Sequence, residues 1–286
     1  MSLGALSTSA IPVLELPVCL SDLYDTAPYA QALRAQSSSG GRRASLRIRW
    51  VSQPGRLHKH VKKKDVFTVR ILLACGADIE ERDVHGFTPL HHAADSGDNQ
   101  TCKLLMDRGA NVDSKDSAGR TPLSYGVEKG NTESCQLLMD RDADVDSKDS
   151  AGRTPVSYAA GGASYQCFVI CGILLDRGAT VDSTDSAGRT PLSYAAEKGH
   201  SGSCQLLIDR GANVELKDSA GRTPLSYAAE QGRTGFREIL MDRGAHADVD
   251  SKDSAGRTPL FYAVEQGHTE FCGVLLDKGV DVNSTG

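Results

Sequence analysis

Five arginines recur in one seven-residue frame, Asp-Ser-Ala-Gly-Arg-Thr-Pro, as Arg120, Arg153, Arg189, Arg222 and Arg257. A guanidinium is a planar fork of donors that suits carboxylates and phosphates, so a regular row of them has a defined chemistry: gripping an acidic or phosphorylated surface. A second basic row, Lys115, Lys148, Lys217 and Lys252, precedes each frame, with Thr184 breaking the series. The same arginines also stand four residues after an aspartate, and surface ion pairs of that kind are commonplace and weak. The row therefore reads either as a binding stripe or as a set of solvated local pairs. A looser copy of the frame, beginning at Asp83, is different: Val84, His85, Phe87, His91 and His92 give it an apolar, aromatic tip. If one unit carries a distinct contact, it is this one, through Phe87, His85 and His92; its place near the edge of the array would equally explain its divergence.

Catalytic spacing is missing. There is no phosphate-binding glycine loop, no His-Glu-x-x-His and no Gly-x-Ser-x-Gly. Cys167 and Cys171, four apart, share one side of a predicted helix, but no second Cys or His pair accompanies them, so no metal or other cofactor is expected. His58, His60, His85, His91 and His92 lie towards the N-terminal end without the acid and nucleophile of a triad. The chain reads as a non-enzyme.

The elements that position these residues repeat with them. The frame begins at Asp116, Asp149, Asp185, Asp218 and Asp253, and its looser copy at Asp83; three spacings are 33 residues, the others 36 and 35. A fixed period of this size is the signature of a solenoid. Counting each first Asp as position 1, Asp-x-x-Gly predicts a type I turn, Thr-Pro an N-cap followed by the first helical residue, and Gly130 a left-handed helix end. A short helix to Lys129 and a second from Thr132 to Arg141 follow, then a polar extended link. Cys102, Cys135, Cys171, Cys204 and Cys272 fall at equivalent positions, with Arg237 standing there in one unit. Stacked helices hold such residues too far apart for disulfides, so they read as small buried apolar groups, as in a reducing compartment. A recurring tyrosine, Tyr125, Tyr158, Tyr194, Tyr227 and Tyr262, is expected to pack between neighbouring first helices with its hydroxyl at the edge.

At this point the chain resembles the ankyrin-repeat family: Thr-Pro-Leu-His-x-Ala-Ala stands at Thr88 to Ala94, and Leu-Leu-Met-Asp-Arg-Gly-Ala at Leu104 to Ala110. The resemblance implies an all-α solenoid of helix-turn-helix units joined by hairpin-like loops. Its repeats are 83–115, 116–148, 149–184, 185–217, 218–252 and 253–286, after a degenerate repeat at 57–82 in which Leu57 takes the signature position. It implies a protein-protein interaction scaffold or adaptor whose partner docks on hairpin tips and the concave first-helix face. Departures are local. The signature His survives only as His91; Ser124, Ser157, Ser193, Ser226 and Phe261 replace it. Asp142 takes the place of the cap glycine found at Gly109, Gly178, Gly211, Gly244 and Gly279. Gly161-Gly162-Ala163 marks a three-residue expansion, expected to lengthen an inter-helix loop. These features make repeats two, three and five the expected soft places.

Charge is uneven. Residues 1–64 hold ten Lys/Arg against three acids, net +7; with 32 basic and 37 acidic residues overall, the remainder holds 22 against 34, net −12. The acidic array argues against general binding to nucleic acid, and no apolar run is long enough to span a bilayer. A cytoplasmic or nuclear location is expected. The N-terminal segment 1–56 does not repeat. Its Leu-Pro stretch around Ile11 to Leu23 faintly resembles the opening of an F-box, which would make the protein a substrate-recognition subunit of a ubiquitin ligase. Ser45, after Arg42-Arg43-Ala44, resembles a basophilic kinase site, and the basic segment could also dock on the acidic array. Further readings make the chain a fragment of a larger protein, or let the uncapped last repeat self-associate.

Overall fold

The computed structural model describes residues 54–236 and 248–282. The Leu-Pro stretch, Ser45, Arg237 and Gly244 lie outside them. Among the described residues there are thirteen α-helices and no strand, and short turns join twelve of the helices in consecutive pairs. They are α1 (Arg56–Lys62) and α2 (Val66–Ala74), α3 (Pro89–Ser96) and α4 (Asn99–Asp107), α5 (Pro122–Lys129) and α6 (Thr132–Met139), α7 (Pro155–Gly161) and α8 (Tyr165–Asp176), α9 (Pro191–Lys198) and α10 (Ser201–Asp209), α11 (Pro224–Glu230), which a 3-10 turn at Thr234–Phe236 follows, and α12 (Pro259–Glu265) and α13 (Thr269–Asp277). Each first helix packs on the first helix of the next unit. The fold is an all-α repeat solenoid.

Every residue of the recurring frame has a local task. In the second unit, Asp116 accepts the amides of Ala118 (2.8 Å) and Arg120 (2.9 Å) through Oδ1, and its own amide donates to the Arg120 carbonyl at 3.0 Å, which closes the turn. Ser117 donates its amide to the carbonyl of His85 in the preceding turn, and Ser150, Ser186, Ser219 and Ser254 do the same to Ala118, Ala151, Ala187 and Ala220 at 2.8–2.9 Å. Gly119 sits at φ 74°, and a Cβ there would stand 2.9 Å from the Ser150 amide nitrogen, so both conformation and close approach demand glycine. Thr121 accepts the Ser124 amide as N-cap and Pro122 opens α5.

The core is a string rather than a centre. First helices bury small residues, among them Ala93, Ala94, Val127, Ala159, Ala160, Ala195, Ala196, Ala228 and Ala229. Second helices bury Cys and Leu beneath them: Cys102 and Leu105, Cys135 and Leu138, Cys171 and Leu174, Cys204 and Leu207. One fully buried leucine contributes about 1.5–3 kcal/mol, so each unit gains a modest sum and depends on its neighbours for the rest. Burial pushes the Cys102 and Cys171 thiols up to about 12. Cys75 is exposed.

Two departures from the repeat take physical form. Asp142 adopts φ 61°, the left-handed conformation of the glycine it replaces. The three-residue expansion is not confined to the loop. The connection between α7 and α8 grows only to Gly162, Ala163 and Ser164, whereas α8 reaches 12 residues against 8 or 9 in α4, α6 and α10. Nearly a turn is added at its start, where Ser164 caps the helix by accepting the Cys167 amide, leaving Tyr165 74% exposed.

Candidate partner-binding surface

The turns and the first helices bring three recurring side chains together in each unit: the frame aspartate, the frame arginine and the first-helix tyrosine. Tyr125, Tyr158, Tyr194, Tyr227 and Tyr262 each donate the phenol proton to Oδ2 of Asp116, Asp149, Asp185, Asp218 and Asp253, always at 2.6 Å. Burial and the carboxylate acceptor hold the phenols in the neutral form, pushing Tyr194 and Tyr262 up to about 12. Asp149, Asp218 and Asp253 stay below the usual carboxylate range: burial opposes this, but the tyrosine, backbone and arginine donors outweigh it.

The arginines occupy two settings. Arg120 is sandwiched between Tyr125 (3.8 Å to the ring centre) and Tyr158 of the next unit (4.4 Å), and pairs with Glu128. Arg189 repeats this between Tyr194 (4.2 Å) and Tyr227 (4.3 Å), paired with Glu197. Their side chains are only 13% and 18% exposed, and the Nε of each is buried without a hydrogen-bond acceptor, covered by ring faces. Arg153, Arg222 and Arg257 stay over their own tyrosines and pair with their own Asp149, Asp218 and Asp253 at 3.0–3.2 Å. The arginine row is thus bound up in internal pairs and cation–π contacts. A free guanidinium stripe is not what the fold presents.

The lysines differ. Lys115, Lys148 and Lys217 are exposed, and their Nζ atoms reach one unit ahead to the carbonyls of Lys148 (2.9 Å), Thr184 (2.8 Å) and Lys252 (2.9 Å). Among the described residues no carboxylate pairs with them, so each keeps its charge along the tips while tying two turns together. Lys252 ends the row and is also exposed. A further basic row just past the ends of the second helices is neutralised: Arg141, Arg177 and Arg210 pair with Asp107, Asp140 and Asp176 of the unit before.

At the aromatic tip, His85 is exposed and Phe87 half-buried, but His92 is buried. Its Nε2 donates to Asp83 Oδ2 at 2.8 Å, in the place the tyrosine hydroxyl takes in later units. Phe87, 4.8 Å from the Tyr125 ring, fills the inter-unit slot taken by Arg120 and Arg189. Asp83 is held at about 2: burial raises it, and the His92 proton with the amides of His85 and Phe87 more than offsets this. His91 donates from Nε2 to the Arg120 carbonyl (3.1 Å) and accepts the Thr88 amide at Nδ1 (3.1 Å), bonding both its own and the next unit. The serines in its place bond their own capping threonines instead. The tyrosine row and the fixed Asp–Arg interval carried the signal of the spine; the equivalence of His92 with the tyrosines was missed, and only its position, nine residues after Asp83, points to it.

Among the described residues no three His, Cys, Asp or Glu side chains gather as a metal site would require, and no helix is long and apolar enough to cross a membrane. Comparison with curated proteins returned no match. A family described as ankyrin repeats (3 copies) matches residues 57–149, 142–218 and 202–286, four-fifths of the chain. With the Thr-Pro-capped first helices, paired second helices and hydrogen-bonded turns just described, the chain belongs to the ankyrin-repeat family, whose repeats are protein-protein interaction modules.

Proposed function

We propose that the protein is a non-enzymatic scaffold or adaptor that binds an acidic or phosphorylated protein segment along its turn tips and first-helix face. The supporting observation is the unneutralised lysine row. Lys115, Lys148 and Lys217 present charge at repeat intervals with only backbone carbonyls as partners, next to an arginine row whose guanidiniums are partly covered. Charge arranged in this way steers an acidic partner and sets its register.

The test is affinity capture with mass spectrometry from the native cell, comparing the wild type with a variant in which Lys115, Lys148, Lys217 and Lys252 are all glutamine. Circular dichroism first establishes that the variant folds. Loss of one acidic partner supports the reading; an unchanged set of captured proteins contradicts it. Glutamine at the arginine positions is a poorer probe, because Arg120 and Arg189 hold neighbouring units together.

A further inference from the structure

The row of glutamates on the first helices is broken once. Glu128, Glu197, Glu230 and Glu265 stand at the thirteenth position of their repeats, and Gly161 stands there in the third. In the neighbouring units that carboxylate faces the frame arginine: Glu128 lies 2.5 Å from Arg120, Glu197 pairs with Arg189, and Glu230 lies 3.6 Å from Nη1 of Arg222. Arg153 lacks this partner. Its Nε and Nη2 both lie 3.0 Å from one oxygen of Asp149, and Nη1, the arm that faces Glu230 in Arg222, meets no acceptor among the described residues. The Arg153 side chain is 38% exposed, more than Arg120, Arg189 or Arg222; Arg257, 39% exposed, holds its own Asp253 in the same way, but its repeat carries Glu265 where the third has Gly161.

The space is open as well as the charge. A Cβ on Gly161 would meet only the Cβ of Tyr194, at 3.7 Å, an ordinary contact. On the other side Tyr158 carries two guanidiniums, Arg120 at 4.4 Å and Arg153 at 4.7 Å. One rung of the spine therefore combines a cationic wall, an unused guanidinium arm and a gap where three neighbours supply a carboxylate from their own chain.

The geometry points to this notch as the receptor for a glutamate or aspartate side chain of a partner protein, which completes in trans the pair that Gly161 leaves open. The assignment rests on the proposal that the tip face binds an acidic protein, and narrows it to one rung. A carboxylate is the fitting group because it is what Arg120, Arg189 and Arg222 hold, and an arginine fork with a spare arm gains a charge-assisted hydrogen bond by taking one.

The experiment pans a phage-displayed library of random 12-residue peptides on the full chain. The most enriched peptide is then synthesised and its affinity measured by fluorescence polarisation for the wild type, Arg153→Gln, Gly161→Glu, Gly161→Gln and the fourfold lysine-to-glutamine variant. Gly161→Glu supplies the missing carboxylate in cis, and Gly161→Gln adds the same bulk without the charge. The expected result is a fixed acidic position in the enriched peptides, with binding weakened about tenfold or more by Arg153→Gln and Gly161→Glu but within about twofold of wild type in Gly161→Gln. Should Arg153→Gln fail to fold, the two Gly161 variants decide alone, since they leave the Arg153–Asp149 pair in place. Full affinity in Gly161→Glu, or equal losses in both Gly161 variants, overturns the notch. An acidic peptide that depends on the four lysines but not on Arg153 or Gly161 also overturns it, and leaves the broader reading standing. Enrichment with no acidic position sinks both. A phosphoserine version that binds where the carboxylate peptide does not overturns the carboxylate assignment.

Discussion

The guanidinium of Arg120 lies between two tyrosine rings from different repeats, 3.8 Å from the centre of Tyr125 and 4.4 Å from that of Tyr158. It is a joint between units more than a surface charge. Arg120→Ala is expected to cost about 1–2 kcal/mol, as loss of a partly desolvated cation–π pair and its ion pair. Arg257→Ala, whose arginine stacks on one ring only, should cost less. Urea unfolding, with hydrogen exchange resolved by repeat, measures both; equal losses would deny Arg120 its joining role.

Two adjacent glycines should respond in opposite directions to the same substitution. A methyl on Gly161 meets only Tyr194 at 3.7 Å, whereas one on Gly162 would lie 2.5 Å from Sγ and 2.7 Å from Cβ of Cys167. Gly161→Ala, within a helix, is expected to stabilise by about 0.5–1 kcal/mol. Gly162→Ala is expected to destabilise by about 1–3 kcal/mol through overpacking. Melting temperatures of the two variants give the comparison.

Asp142 holds a left-handed backbone at φ 61°. Asp142→Gly removes that strain and should raise stability by roughly 0.5–1 kcal/mol, while Asp142→Val should lower it by more than that. The urea midpoint reports both, and a neutral glycine variant would mean that the strain is already relieved locally.

His91 is held neutral. Burial lowers its pKa from 6.5 to about 4, against the opposing pull of the Arg120 carbonyl. As pH falls below 6.5 the unfolded chain takes up a proton that the folded array refuses until about pH 4. Its contribution is therefore complete above 6.5 and declines between 6.5 and 4, by up to roughly 3 kcal/mol. Asp83, held at about 2, acts in a lower window: its stabilisation is present above its ordinary value near 4 and is lost as pH falls towards 2. Urea midpoints at pH 7.5 and 5 for the wild type and His91→Ser test the upper window; the variant should be the less stable at pH 7.5 and show the shallower decline.

Thiol chemistry separates the cysteines. Cys75 is exposed, whereas Cys102, Cys135, Cys171 and Cys204 are buried and burial raises their pKa. Brief labelling with iodoacetamide, read by peptide mapping, should modify Cys75 well before those four. Rapid labelling of Cys135 would mean that the second helices open far more often than the packing implies.

Much of the architecture was legible because each repeat is specified locally. Asp-x-x-Gly, Thr-Pro and the glycine after Lys129 name a turn, a helix start and a helix end without reference to anything distant. The tyrosine hydroxyls, expected at the edge of the first helices, each donate to a frame aspartate, and Tyr227 and Tyr262 are buried outright. What could not be read was reach. That Arg120 extends to Tyr158 while Arg153 stays over Tyr158 of its own unit depends on the distance between stacked helices and on which acid lies within range. The forward step of Lys115 to the Lys148 carbonyl has the same origin. The expansion after Ala160 was expected in a loop, yet Ser164 offers a cap and the residues after it join the helix. His92 went unrecognised as a tyrosine equivalent because imidazole and phenol share only the ability to donate one proton at that height above Asp83.

From Ser150 to Ser254 the amide of each turn serine hangs on the carbonyl of the turn before it, at 2.8–2.9 Å across repeats of 33, 35 and 36 residues. One side of the array therefore behaves as a ruler with fixed graduations, and differences in repeat length are taken up elsewhere. Unequal recombination among such similar segments would lengthen or shorten the ruler without altering its graduations. A partner that reads the spacing of charges could then keep its footing through changes in repeat number, and the reach of the surface could drift independently of its chemistry.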